Sequence, residues 1–114
     1  MNTITRRSPR LEVAFELFLE HVCRITDDRL RRRLCAALMR DKSQTGVNWR
    51  FQVNRLWAGQ FDEQLRQMLH GVFRPREIVL WLELSVTTGR LTRADANAAQ
   101  EAIFPWVGAD GQWR

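Results

Sequence analysis

The strongest constraint on the fold is one row of apolar residues near the amino terminus. Apolar residues recur there at steps of four, three, four and three positions, which is the spacing of one face of an α-helix. The row consists of Leu11, Phe15, Phe18, Val22 and Ile25. Its spacing predicts a helix over residues 9–25, with a wider apolar face than one neighbouring helix covers.

Local capping signals divide the rest of the chain into further short helices. Thr26, Asp27 and Asp28 supply cap oxygens for a helix over residues 28–42, and Thr92 with Asp95 predicts the start of a last helix. Gly89 suits the left-handed residue that ends a helix. The predicted fold class is therefore all-α, a single compact domain of five or six short helices.

The middle of the chain also allows a different interpretation. Residues 47–53 alternate between apolar and polar side chains, which is typical of a strand, and residues 78–86 are the only available partner strand. An α+β fold with this hairpin is the minor alternative, because an isolated hairpin is marginally stable. Residues 78–82 are apolar on every side, so we expect them to form the most buried element.

The length of 114 residues predicts one domain. We expect a disordered arm over residues 1–8, a helical domain over residues 9–105 and a tail over residues 106–114 that contains two tryptophans. No apolar stretch approaches the length of a membrane span, and no signal-peptide pattern is present. The expected location is the cytoplasm, with no membrane partner.

The sequence offers little for catalysis or for metal binding. Cys23 and Cys35 lack the spacing of a zinc site, and we interpret both as small buried residues on helices. Neither His21 nor His70 lies in a pattern typical of nucleophilic catalysis, and no glycine-rich phosphate loop occurs. We expect a protein that is not an enzyme and that has no cofactor.

Binding to another protein accounts for more of the composition. The chain contains five tryptophans and many arginines, and these two residue types are enriched at the energetic centres of interfaces. The first predicted surface is the row on the first helix, for self-association or partner capture: Leu11, Phe15, Phe18 and Val22. The second predicted surface contains Trp49, Arg50, Phe51, Arg55 and Trp57.

Nucleic-acid binding is the alternative function. Basic residues cluster on the second predicted helix, as in proteins that contact the phosphate backbone. The candidate residues are Arg29, Arg31, Arg32, Arg33, Arg40 and Lys42. In this alternative the chain is a basic helical subunit of a larger complex.

The leading hypothesis is a small helical interaction protein, expected to be a homodimer, that docks on another protein and inhibits or sequesters it. In size and overall composition the chain is similar to the small helical antiactivators that occlude bacterial transcription factors, and to inhibitors encoded by phages or plasmids. This similarity extends to no shared motif. It implies a transcription regulator as a candidate partner.

Overall fold

The structure is a computed structural model that describes residues 9–56 and 62–114. In these ranges the chain forms six α-helices and a short 3₁₀ turn, with no β-strand. The elements are α1 (Pro9–His21), α2 (Asp28–Met39), α3 (Gln44–Leu56), α4 (Glu63–Val72), α5 (Pro75–Thr87), α6 (Arg93–Ile103) and the 3₁₀ turn (Phe104–Trp106). The predicted all-α fold is confirmed. The alternative hairpin is wrong, because its two segments lie in α3 and α5. The predicted arm over residues 1–8 lies outside the described residues.

Short polar side chains and one glycine set three helix ends that the sequence predicts, whereas α1 and α2 end at His21 and Met39, a few residues before their predicted ends. The Asp27 carboxylate accepts a 2.9 Å hydrogen bond from the backbone N–H of Arg29 at the start of α2. Thr92 accepts a 3.1 Å hydrogen bond from the backbone N–H of Asp95 at the start of α6. Gly89 follows α5 with a φ of 78°, a conformation that costs glycine little. These local predictions are confirmed.

The first helix lies at the centre of the domain, in contact with α2, α3 and α4. Its side chains Leu11, Phe15 and Phe18 are fully buried. The ring centroid of Phe15 lies 5.2 Å from that of Phe73 and 5.6 Å from that of Trp81. Aromatic pairs at such distances add about 0.5–1.5 kcal/mol beyond the burial of area. The apolar row of α1 is therefore the axis around which the other helices pack.

Helix α5 is not the most buried element, and that prediction is wrong. Ile78, Trp81 and Leu82 are buried, but Leu80 is 60% exposed on the opposite side of the helix. α5 packs with one side on the core and is flanked by α6. The continuous apolar run therefore marks a helix with one buried face and one exposed apolar face.

A buried carboxylate connects the turn after α2 to α5. Asp41 is fully buried and accepts a 2.6 Å hydrogen bond from Nε1 of Trp81. It also accepts a 2.8 Å hydrogen bond from the backbone N–H of Ser43, and Nη1 of Arg90 lies 3.5 Å from its Oδ1. Burial raises the pKa of Asp41, but the hydrogen bonds from Ser43 and Trp81 and the charge of Arg90 outweigh burial and lower it.

The carboxyl-terminal segment, residues 106–114, folds back onto the helices. Nε1 of Trp113 donates a 2.6 Å hydrogen bond to the backbone carbonyl of Phe73, next to the end of α4. The guanidinium of Arg24 lies 4.6 Å from the ring centroid of Trp106, which is a cation–π contact. Both tryptophans of this segment therefore hold it against the domain.

Candidate interaction surfaces

Four of the predicted interface residues lie in the core. They are Leu11, Phe15 and Phe18 of α1 and Val22 directly after it. Because α2, α3 and α4 surround α1, a partner cannot reach this row while the domain stays folded. The docking surface predicted on the first helix is therefore corrected to a packing surface inside the chain.

Of the two tryptophans predicted for the second surface, the structure describes Trp49, which contributes to no exposed patch. Trp49 is buried, and its ring centroid lies 4.9 Å from that of Phe73 and 5.8 Å from that of Trp81. Its large ring fills the space between α3 and the aromatic residues around α1. Trp57 lies outside the described residues.

The remaining residues of the second predicted surface form an exposed patch on α3. Phe51 is 62% exposed, and Val47, one turn earlier, is 47% exposed. The guanidinium of Arg55 lies 6.0 Å from the ring centroid of Phe51, and Arg50, the residue before Phe51, is half-buried. No acidic residue occurs in α3. These four residues, which we call the α3 face, combine apolar surface with positive charge.

A cleft with a volume of about 880 Å³ lies between α3 and α4 and reaches the start of α5. Its apolar lining comes from Trp49, Leu56, Leu65, Met68 and Val72. Its polar lining is rich in amides, with Thr45, Asn48, Gln52, Gln64 and Gln67, and its charged lining is Asp62, Arg74 and Glu77. Exposed amides above an apolar lining can bind both the backbone and the apolar side chains of a peptide.

The cleft borders the part of the α3 face that contains Phe51 and Arg55. Arg55 follows Asn48 by seven residues and so has nearly the same angular position around the axis of α3. Phe51 and Gln52 lie on either side of that line. Sequence reasoning missed Asn48 and Gln52, although their spacing of four already places them on one side of a helix.

Four of the predicted nucleic-acid-binding residues share one exposed face of α2 and its end. They are Arg29, Arg32, Arg33 and Arg40, which we call the α2 arginine row. At 3.6 residues per turn these positions fall within about 100° around the helix axis. Lys42 is also exposed and lies shortly after the end of α2.

Arg31 does not belong to this row, and its assignment to nucleic-acid binding is corrected. Its side chain is buried and donates a 2.6 Å hydrogen bond to the backbone carbonyl of Ile25. It forms an ion pair with Asp28, and its Nε lies 3.8 Å from a carboxylate oxygen of Glu16. Arg31 therefore joins α2 to α1 and to the turn between them.

The other arginines of the row differ in their pairing. Nη1 of Arg33 lies 3.2 Å from Oδ1 of Asp95 in α6, and Nη2 of Arg40 donates a 3.4 Å hydrogen bond to a backbone carbonyl. Arg29 and Arg32 have no ion-pair partner within residues 9–56 and 62–114. At least two guanidinium groups of the row are thus available to an anion.

The side chains that could react chemically are buried or separated from one another. Both cysteines are buried; Cys35 lies in α2 and Cys23 in the turn after α1 rather than in a helix. Burial raises the pKa of Cys35 to about 12 and also raises that of Cys23, so both thiols stay protonated at neutral pH. Among the described residues, no three His, Cys, Asp or Glu side chains converge as metal ligands would.

None of the helices in the described part of the chain is long and apolar enough to cross a membrane. No protein-family model, curated protein or solved structure matches the chain. The α3 face with its cleft and the α2 arginine row are the candidate functional surfaces of the described structure.

Proposed function

We propose that this chain is a non-enzymatic interaction protein that binds an acidic amphipathic helix of a partner protein along α3. The observation that carries the proposal is the exposure of Phe51. Its ring is 62% exposed on a helix that also presents two arginines and borders the cleft. A large exposed aromatic side chain in such surroundings is typical of an interface.

The residue types of the α3 face are those that contribute most to binding energy. Aromatic and arginine side chains are enriched at the centres of interfaces, where water is excluded on binding. Burial of an exposed Phe side chain contributes about 1.5–3 kcal/mol. Arg55 already lies over the Phe51 ring, so the two side chains can be covered together by one partner.

The charge of α3 favours an acidic partner. Arg50 and Arg55 lie on this helix, which contains no acidic residue. A carboxylate next to the apolar side chains of the partner would form an ion pair with one of these arginines. The carboxylate and the guanidinium would lie in one plane and share two hydrogen bonds. A basic partner would meet two like charges at this surface.

The shape of the surface favours a helix as the bound segment. The cleft is lined along α3 from Thr45 to Leu56, a rise of about 16 Å at 1.5 Å per residue. This length corresponds to about three turns of a helix. A helix placed in the cleft would contact apolar side chains with one face and Arg55 with its edge, which is a common mode of peptide recognition.

The biological consequence that we propose is inhibition or sequestration of the partner. The candidate partner is a bacterial transcription regulator in the cytoplasm. Binding would inhibit it, because the bound helix could no longer make the contacts that it makes in the free regulator. A homodimer through the α1 row is not part of this proposal, since that row is in the core. A second copy of the chain remains a competing occupant of the α3 surface.

Site-specific photocrosslinking tests the proposal. A benzophenone amino acid at position 51 should crosslink to a partner protein through a segment that is helical, apolar on one face and acidic beside it. The matched control carries the same group at position 80, because Leu80 is 60% exposed on another helix. Equal crosslinking from both positions, or crosslinking only to a second copy of the chain, would overturn the proposal.

Affinity measurements with the crosslinked segment as a synthetic peptide complete the test. Phe51→Ser should weaken binding at least about 30-fold, the effect of a residue worth about 2 kcal/mol. Arg50→Gln with Arg55→Gln should weaken binding of the acidic peptide and reduce its salt dependence. Leu80→Ser should leave the dissociation constant within about twofold of wild type.

A further inference from the structure

The α2 arginine row is a second surface that the proposed function does not use. Arg29, Arg32, Arg33 and Arg40 face away from the buried side of α2, which carries Leu34. Helix α2 contains no acidic residue after Asp28. The row therefore presents positive charge along the whole exposed side of the helix.

The acidic residues nearest in sequence do not neutralise the row. The Asp27 carboxylate accepts hydrogen bonds from backbone N–H groups at the start of α2, and Asp28 pairs with Arg31. Asp41 follows α2 but is buried and paired inside the domain. Among residues 9–56 and 62–114, only Asp95 on α6 pairs with a member of the row, namely Arg33. The surface is therefore more basic than the sequence indicates.

We propose that the α2 arginine row binds the phosphate backbone of double-stranded nucleic acid. From Arg29 to Arg40 the helix rises about 16 Å, which spans about five phosphates of one strand at about 3.4 Å each. Guanidinium groups bind phosphate oxygens through paired hydrogen bonds and stay charged at every physiological pH.

The surroundings of the row favour a duplex over other anionic partners. The exposed side of α2 carries no aromatic residue on which unpaired bases could stack, so a single strand would gain only its phosphate contacts. A helix that binds an anionic membrane needs large apolar side chains beside its basic ones. The apolar residue within the row is Ala36, which is too small for this.

The binding should depend on salt and not on base sequence. Phosphate contacts carry no sequence information, and their affinity comes from released counterions. If about three arginines each neutralise one phosphate, the affinity should fall about 40-fold between about 50 and about 200 mM salt. With two of these arginines neutralised, the same change of salt should weaken binding only about 3-fold.

Fluorescence anisotropy with a labelled random-sequence DNA duplex tests this proposal. Arg29→Gln with Arg32→Gln should reduce the slope of log affinity against log salt by about two. Arg50→Gln with Arg55→Gln removes the same charge from α3 and is the matched control, with an expected slope close to that of wild type. Because all four side chains are exposed or half-buried and pair with no carboxylate of the described residues, circular dichroism should show both variants folded.

Three results would overturn the proposal. They are no binding by the wild-type protein at low salt, equal loss in the two double variants, and row-dependent binding to phosphatidylserine vesicles without binding to the duplex. Phe51→Ser is a further control, because it should leave duplex affinity unchanged. Failure of the duplex experiment would therefore not bear on the binding of a helix along α3.

Discussion

The indole N–H of Trp81 donates a 2.6 Å hydrogen bond to the carboxylate of Asp41, 40 residues earlier in the chain. The same carboxylate accepts a hydrogen bond from the backbone of Ser43 and lies 3.5 Å from Arg90. One side chain thus connects the turn after α2, the middle of α5 and the turn after α5. A buried carboxylate with three partners is stable only while it is ionised and all partners are present.

We expect Asp41 to determine part of the acid stability of the domain. Its pKa is lowered in the fold, so its stabilising effect is complete above about pH 4 and is lost as the pH falls through the folded pKa. Asp41→Asn should lower the free energy of unfolding by about 1–3 kcal/mol at neutral pH and flatten its decline in acid. Urea unfolding at neutral pH and at about pH 3 measures both effects. The exposed variant Glu101→Gln is the control, and an unchanged acid decline in Asp41→Asn would contradict the prediction.

Alanine should have opposite effects at two glycines of the helices. A Cβ at Gly46 would lie 3.0 Å from Cγ and Oδ2 of Asp41, which Trp81 holds in place. A Cβ at Gly71 would meet nothing within 4 Å. Gly71→Ala should therefore stabilise the domain by about 0.5–1 kcal/mol through the helix propensity of alanine.

Gly46→Ala should instead destabilise the domain by about 1–3 kcal/mol, because overpacking outweighs the gain in propensity. Thermal unfolding of the two variants side by side measures the difference in sign. If Gly46→Ala stabilises the domain as much as Gly71→Ala does, the Asp41 side chain is not held as tightly as its contacts indicate.

His70 should make stability depend on pH above the range of the carboxylates. Burial, followed by the charge of Arg66, lowers its pKa, and its Nε2 is buried without a hydrogen-bond partner in the described structure. The neutral imidazole is therefore favoured in the fold, and stability should fall as the pH decreases from about 6.5 towards the lowered folded pKa. His70→Leu should remove this fall, as measured by urea unfolding between about pH 7.5 and about pH 5. The same experiment on His21→Gln, an exposed position, should leave the fall in place.

Breaking one ion pair should strengthen the binding of duplex nucleic acid. Asp95 pairs with Arg33, whose side chain is still 48% exposed. Asp95→Asn should release Arg33 for a phosphate contact and make the salt slope steeper by about one. Glu101→Gln removes one negative charge from the same helix, as Asp95→Asn does, but at a position away from the ion pair. It should therefore change the salt slope much less. Equal effects of the two variants would show that net charge alone is responsible.

The features that could be predicted from the sequence depend on neighbouring residues. Asp27 and Thr92 cap helices whose first turns follow directly, and Gly89 ends a helix through its own backbone conformation. The apolar row of α1 is equally local, because helix periodicity is visible in a few turns. These features require no knowledge of what packs against each helix.

The features that could not be predicted depend on residues that are distant in sequence. Arg29 and Arg31 are two positions apart, yet one is exposed and the other is buried against the carbonyl of Ile25. In the sequence, Asp41 has the features of a residue at a helix end. Only the fold shows that Trp81 lies beside it. The α1 row is apolar in sequence, and the α3 face also contains apolar residues, Val47 and Phe51. Only the positions of the other helices decide that the first is core and that Phe51 is surface.

Because both cysteines are buried, the folded domain should not react with reagents that modify thiolates. The chain contains two cysteines, and both are protonated and inaccessible in the fold. A cysteine introduced at an exposed position such as Gln52 can therefore carry a dye or a spin label without removal of the native ones. Any labelling of the native thiols would then report how often α1 and α2 separate. The native cysteines can therefore serve as a probe of this local opening.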